Sequence, residues 1–282
     1  MRVLILGSSV LLGNTFKFFL KEKKINLYFI SKKKSQNYNF YLKNFKNLKK
    51  LEKIIKIINP EYIINCIGVT HHHKYYANKS ETKFINSTFP IFLSKLCFKQ
   101  KIYFIHISTD CVFSGSSGNY SEKSRKNPNG YYGLTKSKGE VKNLYSTTIR
   151  TSFIGPETKS KNQLLNWFLA QKNEIKGFDK AFFSGLTSLE LSKIIYIYFL
   201  KINFFYNQIF NIGGPKISKY ELLVSIRKVF KKKIIIKKYS KFKIDRSLNS
   251  NKFKKISKYK QKSWIVMLKN LKEFMDLNNF KF

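Results

Sequence analysis

The stretch "RVLILGSSVLLG", Arg2 to Gly13, decides the fold. An apolar run leads straight into a turn with glycine at either end, and a helical pattern follows from about Leu12 to Lys21. Dinucleotide-binding folds use such a turn to let the backbone bend and to set a pyrophosphate against a helix N-terminus. Gly7 and Gly13 take the outer positions of a GxxGxxG pattern, whereas the middle position is Val10. Ser8 and Ser9 add hydroxyls and amides suited to phosphate. Two glycines between a strand and a helix often make only a turn, so the weight of the motif depends on what surrounds it.

The surroundings alternate. Apolar runs at 26–30, 62–68 and 102–108 are separated by helical patterns near 48–58 and 81–98. Short runs that are apolar throughout, interleaved with helices, indicate βαβ units and a parallel sheet covered on both faces. A polar loop from Ser114 to Asn129 precedes a helix expected over about 132–145, and 146–155 reads as a further strand. Beyond Pro156 the alternation fades into helical patterns near 162–171, 188–201 and 218–230, an apolar segment at 208–214 and a lysine-dense tail. The expected architecture is α/β: a Rossmann-type doubly wound parallel sheet over 1–155, with a smaller C-terminal α/β substrate domain over 156–282, some later segments of which return to the sheet.

Charge says less than its size suggests. Of 55 basic residues against 15 acidic, only Arg2, Arg125, Arg150, Arg227 and Arg246 are arginine. Lysines spread from Lys17 to Lys281 along a chain rich in Ile, Asn, Phe and Tyr resemble compositional drift, not a nucleic-acid footprint clustered on one face. Such a surface still steers anionic small molecules toward the protein. Cys66, Cys97 and Cys111 form no CxxC and no metal spacing, which fits a reducing cytoplasm. The apolar "IIYIYFLKINFFYNQIF" at 194–210 is interrupted by Lys201 and Asn203, so no membrane span is expected. No small-x-small cleavage site follows the N-terminal apolar run, so it does not read as a signal peptide. The run "HHHK" at 71–74 points its side chains in different directions, and no metal is expected.

Chemistry enters at "YYGLTKSKGE", 131–140. Tyr132 and Lys136 are spaced i, i+4 and share one helix face. An ammonium beside a phenol favours the phenolate and makes proton exchange with a substrate oxygen feasible. Thr109, in "HISTDCVF" at 106–113, closes a parallel strand at the end where open α/β sheets bind ligands, and its hydroxyl can orient a carbonyl or alcohol. The three together make a hydride-transfer site. Strand two ends at Ile30 without the acid that would hold a free ribose 2′-hydroxyl. Ser31, Lys32 and Lys33 follow, favouring NADPH, with NADH possible.

On "ILGSSVLLG", "PEYIINCIG", "INSTFP", "STDCVFSGSSGNYSE", "YGLTKSKGE", "IRTSFIG" and "FNIGGPKISKYELL", the chain resembles an extended short-chain dehydrogenase/reductase of the dTDP-4-dehydrorhamnose reductase group over nearly its full length. The resemblance implies catalytic roles for Thr109, Tyr132 and Lys136. It also implies cofactor contacts at Gly7, Ser8, Ser9, Leu11, Leu12, Gly13, Cys66, Ile67 and Gly68. Two positions depart from the family pattern: Val10, and the missing acid at "FYLKNF", 40–45.

A nucleotide-sugar pocket between the two halves would draw on Thr109, Asp110, Tyr132, Trp167 and Arg246. Trp167 either stacks on a nucleobase or packs in the core; Arg246 either grips a diphosphate with its planar fork or lies at the surface. The function implied is NADPH-dependent reduction of a nucleotide-linked 4-keto-6-deoxy sugar for surface polysaccharide synthesis, with a homodimer compatible. An epimerase or dehydratase that recycles bound NAD, and a non-catalytic NADP-binding regulatory subunit, are the alternatives.

Overall fold

The computed structural model describes residues 1–31, 40–70, 76–157, 163–203 and 207–280. Seven parallel strands form the central sheet in the order β3–β2–β1–β4–β5–β6–β11. They are β1 (Arg2–Leu6), β2 (Asn26–Ser31), β3 (Phe40–Tyr41), β4 (Tyr62–Asn65), β5 (Tyr103–Thr109), β6 (Ser146–Thr151) and β11 (Ile209–Asn211). Strand order reverses between β1 and β4, which places a crevice at their carboxyl ends. There Leu6 lies opposite Asn65, and the Cys66 N–H donates to the Leu6 carbonyl at 2.9 Å.

Alternation along β1 explains the two-sided burial. Val3 and Ile5 join one apolar cluster with Phe16 and Leu20 of α1 (Leu11–Lys21), while Leu4 and Leu6 join another with Leu51 and Ile55 of α2 (Leu48–Ile58). With period-2 side chains and four successive apolar residues, Val3 to Leu6, the strand must be covered on both faces. Asn47 caps α2 by accepting from the Lys50 N–H, and Asn59 ends it in the left-handed region at φ 46° before Pro60. Phe16 is fully buried, and truncation to alanine would cost about 3–5 kcal/mol.

The helix expected over 81–98 is a composite: α3 (Lys79–Lys83), a π-helical turn at Phe84–Thr88, and α4 (Phe89–Gln100). The one expected over 132–145 ends early, as α5 (Tyr131–Lys138). A side chain at Gly139 would overlap the Asn86 carbonyl oxygen, and the chain turns there so that Glu140 points inward. The expected strand over 146–155 breaks at Ser152 into β6 and β7 (Phe153–Ile154).

Beyond it lie α6 (Leu164–Ala170), β8 (Glu174–Phe178), β9 (Ala181–Phe183), β10 (Leu186–Thr187) and α7 (Ser188–Ile194), the last continuing as a π-helical stretch to Lys201. After β11 come β12 (Ile217–Ser218), α8 (Lys219–Val229), β13 (Ile235–Tyr239), β14 (Ile244–Asp245), α9 (Asn251–Ser257) and α10 (Trp264–Leu277). Three small sheets, β7–β10, β12–β9–β14 and β8–β13, stand beyond the main one. The lysine-dense tail is thus structured: Met267, Leu268, Leu271 and Met275 of α10 are buried in the same apolar cluster as Val3 and Ile5. No helix of the described residues is long and apolar enough to cross a membrane.

Candidate active site

The Gly7–Gly13 turn is built for a close approach. Gly7 takes φ +86°, a conformation open chiefly to glycine, and a Cβ at Gly13 would overlap the Gly7 carbonyl oxygen. Val10 stands at φ −89°, ψ 162°, extended backbone that any residue adopts, so the backbone conformation does not call for glycine there. That removes the conformational objection to the Val10 departure. No side chain caps α1 and no acid stands in its first turn, leaving N–H groups without intrahelical acceptors facing the crevice. Ser8 is buried, as are Leu11 and Leu12. Cys66, Ile67 and Gly68 leave β4 directly alongside: a Cβ on Gly7 would lie 3.0 Å from Ile67 Cγ1. These residues form a cradle that suits a dinucleotide pyrophosphate. Ser31 closes β2, whereas Lys32, Lys33 and the histidine run at 71–73 lie outside the described residues.

At the carboxyl end of β5 the backbone turns into a single 3₁₀ turn, Asp110–Val112, capped by the Thr109 hydroxyl accepting from the Cys111 N–H at 3.1 Å. The same hydroxyl donates to Asp110 Oδ1 at 3.2 Å. Thr109, Asp110, Cys111, Tyr132, Trp167 and Lys219 all line one cavity of about 490 Å³, roofed by Phe153, Ile154 and Leu164. The volume falls in the range of small-molecule sites. Trp167 packs against the core with part of its surface lining the cavity. Arg246 is not among the lining residues; its Nε donates to the Phe113 carbonyl at 3.2 Å and its Nη1 approaches Cys111 Sγ at 3.6 Å.

Burial dominates the electrostatics of Tyr132. Burial pushes the Tyr132 phenol up, the Cys111 and Asp110 charges push the same way, and only the Thr109 hydroxyl pulls it down. Lys136 is bonded to the end of β5. Its Nζ donates to the Ile107 carbonyl at 2.6 Å and lies 3.3 Å from His106 Nε2, and burial brings its pKa down to about 8. Spacing put Tyr132 and Lys136 on one helix face, but the lysine turns beneath the strand end, where a buried carbonyl is the stronger attraction. Burial also raises the Asp110 carboxyl, against Lys219 and Arg246, which draw it back.

Several residues escaped the sequence reading. Lys219 opens α8, a helix N-terminus where a cation is unfavourable, yet it faces Asp110 and sits 3.6 Å from the centre of the Phe183 ring. Its signal was that misplaced charge. Asn86, in the π-helical turn, accepts from the Val69 N–H and donates to the Val69 carbonyl, both at 2.9 Å, and to Thr135 Oγ1 at 3.1 Å. It thereby fixes α5 at the residue just before Lys136. Glu140 forms two bonds of 2.8 Å with Arg150, and accepts from Lys126 and Ser108, each at 3.0 Å. Among the described residues no group of three or more His, Cys, Asp or Glu side chains is placed to hold a metal.

Residues 1–174 match the family described as the RmlD substrate binding domain. No curated protein matches the chain. Among solved structures, a dTDP-4-dehydrorhamnose reductase from Clostridium acetobutylicum superposes with TM-score 0.80 at 18% identity, covering 98% of this chain and 100% of that one. One from Bacillus anthracis, in complex with NADP, gives TM-score 0.80 at 19% identity over 96% and 98%. A hypothetical dTDP-4-dehydrorhamnose reductase from Sulfolobus tokodaii gives 0.77 at 27% identity over 91% and 94%.

Proposed function

The chain belongs to the RmlD substrate binding domain family, and from that premise we propose that it is an NADPH-dependent reductase of a nucleotide-linked 4-keto-6-deoxy sugar, acting in surface polysaccharide synthesis. One observation carries the reading: Thr109, Asp110, Tyr132 and Lys219 face a single cavity at the carboxyl end of β5, with Lys136 buried behind Tyr132 on α5. The solved B. anthracis reductase complex with NADP supports the choice of cofactor. In this reading residues 1–155 hold the nucleotide cofactor, and most of 156–282 closes over the sugar.

Gly7, Ser8, Ser9 and the first turn of α1 would hold the cofactor pyrophosphate, and Ser31, Lys32 and Lys33 its 2′-phosphate. When bound, NADPH supplies a hydride. The Thr109 hydroxyl orients the substrate's keto oxygen, and the Tyr132 hydroxyl delivers a proton to that oxygen as it becomes an alkoxide. A phenol held protonated by burial keeps that proton across neutral pH. Asp110, beside Thr109, and Lys219 also face the cavity and would meet the sugar, one accepting from a hydroxyl and the other donating.

The test is NADPH oxidation by the purified protein against a panel of nucleotide 4-keto-6-deoxy sugars, with Tyr132→Phe as control. Turnover that falls about 10²–10⁴-fold in the mutant supports the reading. No turnover with any member, despite NADPH binding, overturns it in favour of the regulatory subunit.

A further inference from the structure

His106 is fully buried on β5, and its two ring nitrogens are both in contact with nitrogen groups. On one side stands Asn65, whose Oδ1 accepts from the Ile67 N–H at 3.1 Å. That bond fixes the amide, so Nδ2 is the atom 3.2 Å from His106 Nδ1. An amide nitrogen only donates, so Nδ1 must accept, and a neutral imidazole then carries its single proton on Nε2. Burial and the charge of Lys136 keep the ring neutral by holding its pKa well below the usual histidine value.

Nε2 lies 3.3 Å from Lys136 Nζ. An ammonium has no lone pair, so Nε2–H and a charged Lys136 would set proton against proton. An uncharged amine satisfies every contact: it accepts from Nε2–H and still donates to the Ile107 carbonyl at 2.6 Å. We propose that His106 is a positioning residue for Lys136, and that the ring tautomer and the lysine charge change together: Nε2–H with the amine, Nδ1–H with the ammonium.

The neighbouring charges agree with a balance poised near neutrality. Glu140 and Cys66 favour the ammonium, and burial opposes it. Glu140 is already shared between Arg150 and Lys126, and burial keeps the Cys66 thiol protonated. Switching the ring to Nδ1–H confronts Asn65 Nδ2, so the proton on Lys136 is gained against a cost two residues away.

The functional part of the proposal rests on the reductase reading; its physical part does not. The chain has four histidines, three of them consecutive, so His106 gives a separable nitrogen NMR signal. At pH 9 to 10 the spectrum should show a protonated Nε2 and a bare Nδ1. Lowering the pH through about 8 should shift both nitrogens at one inflection, without imidazolium forming and absent in Lys136→Met. Protonated Nδ1 at high pH, or signals flat across the range, would overturn the coupling whether or not any sugar is reduced. In His106→Gln the amide can turn its oxygen to the ammonium, and the alkaline limb of kcat/KM should move up by roughly one pH unit. An unmoved limb in a folded, active variant removes the positioning role.

Discussion

Arg150 and Lys136 are two buried cations reached from neighbouring elements, and their surroundings differ in kind. Arg150 grips both oxygens of the Glu140 carboxylate with Nε and Nη2 along one edge of its fork, and its guanidinium lies 5.2 Å from the centre of the Phe113 ring. Lys136 is met by a carbonyl and an imidazole, with no carboxylate in hydrogen-bond contact. A buried ion whose valences are all satisfied is locked in place, and removing its partner leaves an uncompensated charge. A buried ion held only by dipoles keeps an accessible protonation change, which is what proton chemistry needs. The first arrangement holds the turn after α5 and, through Lys126, the loop before it against β6; the second supplies the site.

The contrast breaks if the two sites respond alike to mutation. Arg150→Met should cost about 3–5 kcal/mol in urea unfolding, because Glu140, whose side chain is 1% exposed, loses its buried cation and keeps only the part-exposed Lys126 and the Ser108 hydroxyl. Glu140 is held below the ordinary glutamate range by Arg150 and Lys126, so its stabilisation is present above that range and lost as pH falls through the depressed value. Next in size, Gly13→Ala should weaken NADPH binding by more than about tenfold, because the Gly7 carbonyl must move; unchanged affinity in a titration would detach the cofactor from that turn.

Lys136→Met should abolish turnover yet unfold at the same or a higher urea concentration, gaining about 0–2 kcal/mol. The sign follows from its lowered pKa. Unfolded lysine holds a proton that the folded one has lost between about 8 and the usual lysine value. Wild-type stability relative to the mutant should therefore rise with pH across that window and stay flat below it. Smallest is Lys219→Met, expected to raise the KM for the sugar nucleotide about five- to tenfold through loss of one charge-assisted hydrogen bond, with NADPH affinity unchanged.

The sheet was legible because β1 and β4 are apolar at all but one position and β5 opens on an apolar run, and the glycine turn because Gly7 and Gly13 bracket it. Thr109, Asp110, Tyr132 and Trp167 were legible as a set, and they line one cavity. What escaped was whatever depends on contacts distant in sequence. Lys136 looks like Tyr132's neighbour until Ile107 and His106, about 30 residues earlier, compete for its ammonium. Gly139 looks like mid-helix until Asn86 stands against it. Lys219 is one lysine among 50 until Asp110 and Phe183 surround it. The buried face of α10 was hidden by the lysines between its apolar positions.

The pairing of β11 with β6, Ile209 opposite Thr148 through Asn211 opposite Arg150, sets the order in which a growing chain can finish its sheet. When the first 155 residues have emerged during synthesis, all six of β6's residues are destined for burial, yet the strand that seals its outer edge has not been made. That edge, with its unpaired N–H and C=O groups, stays open to other chains for the time it takes to add about 55 more residues, a few seconds at ordinary elongation rates. A ribosome stalled in that interval would present a sticky, six-stranded sheet, and chaperone contact is expected to peak there.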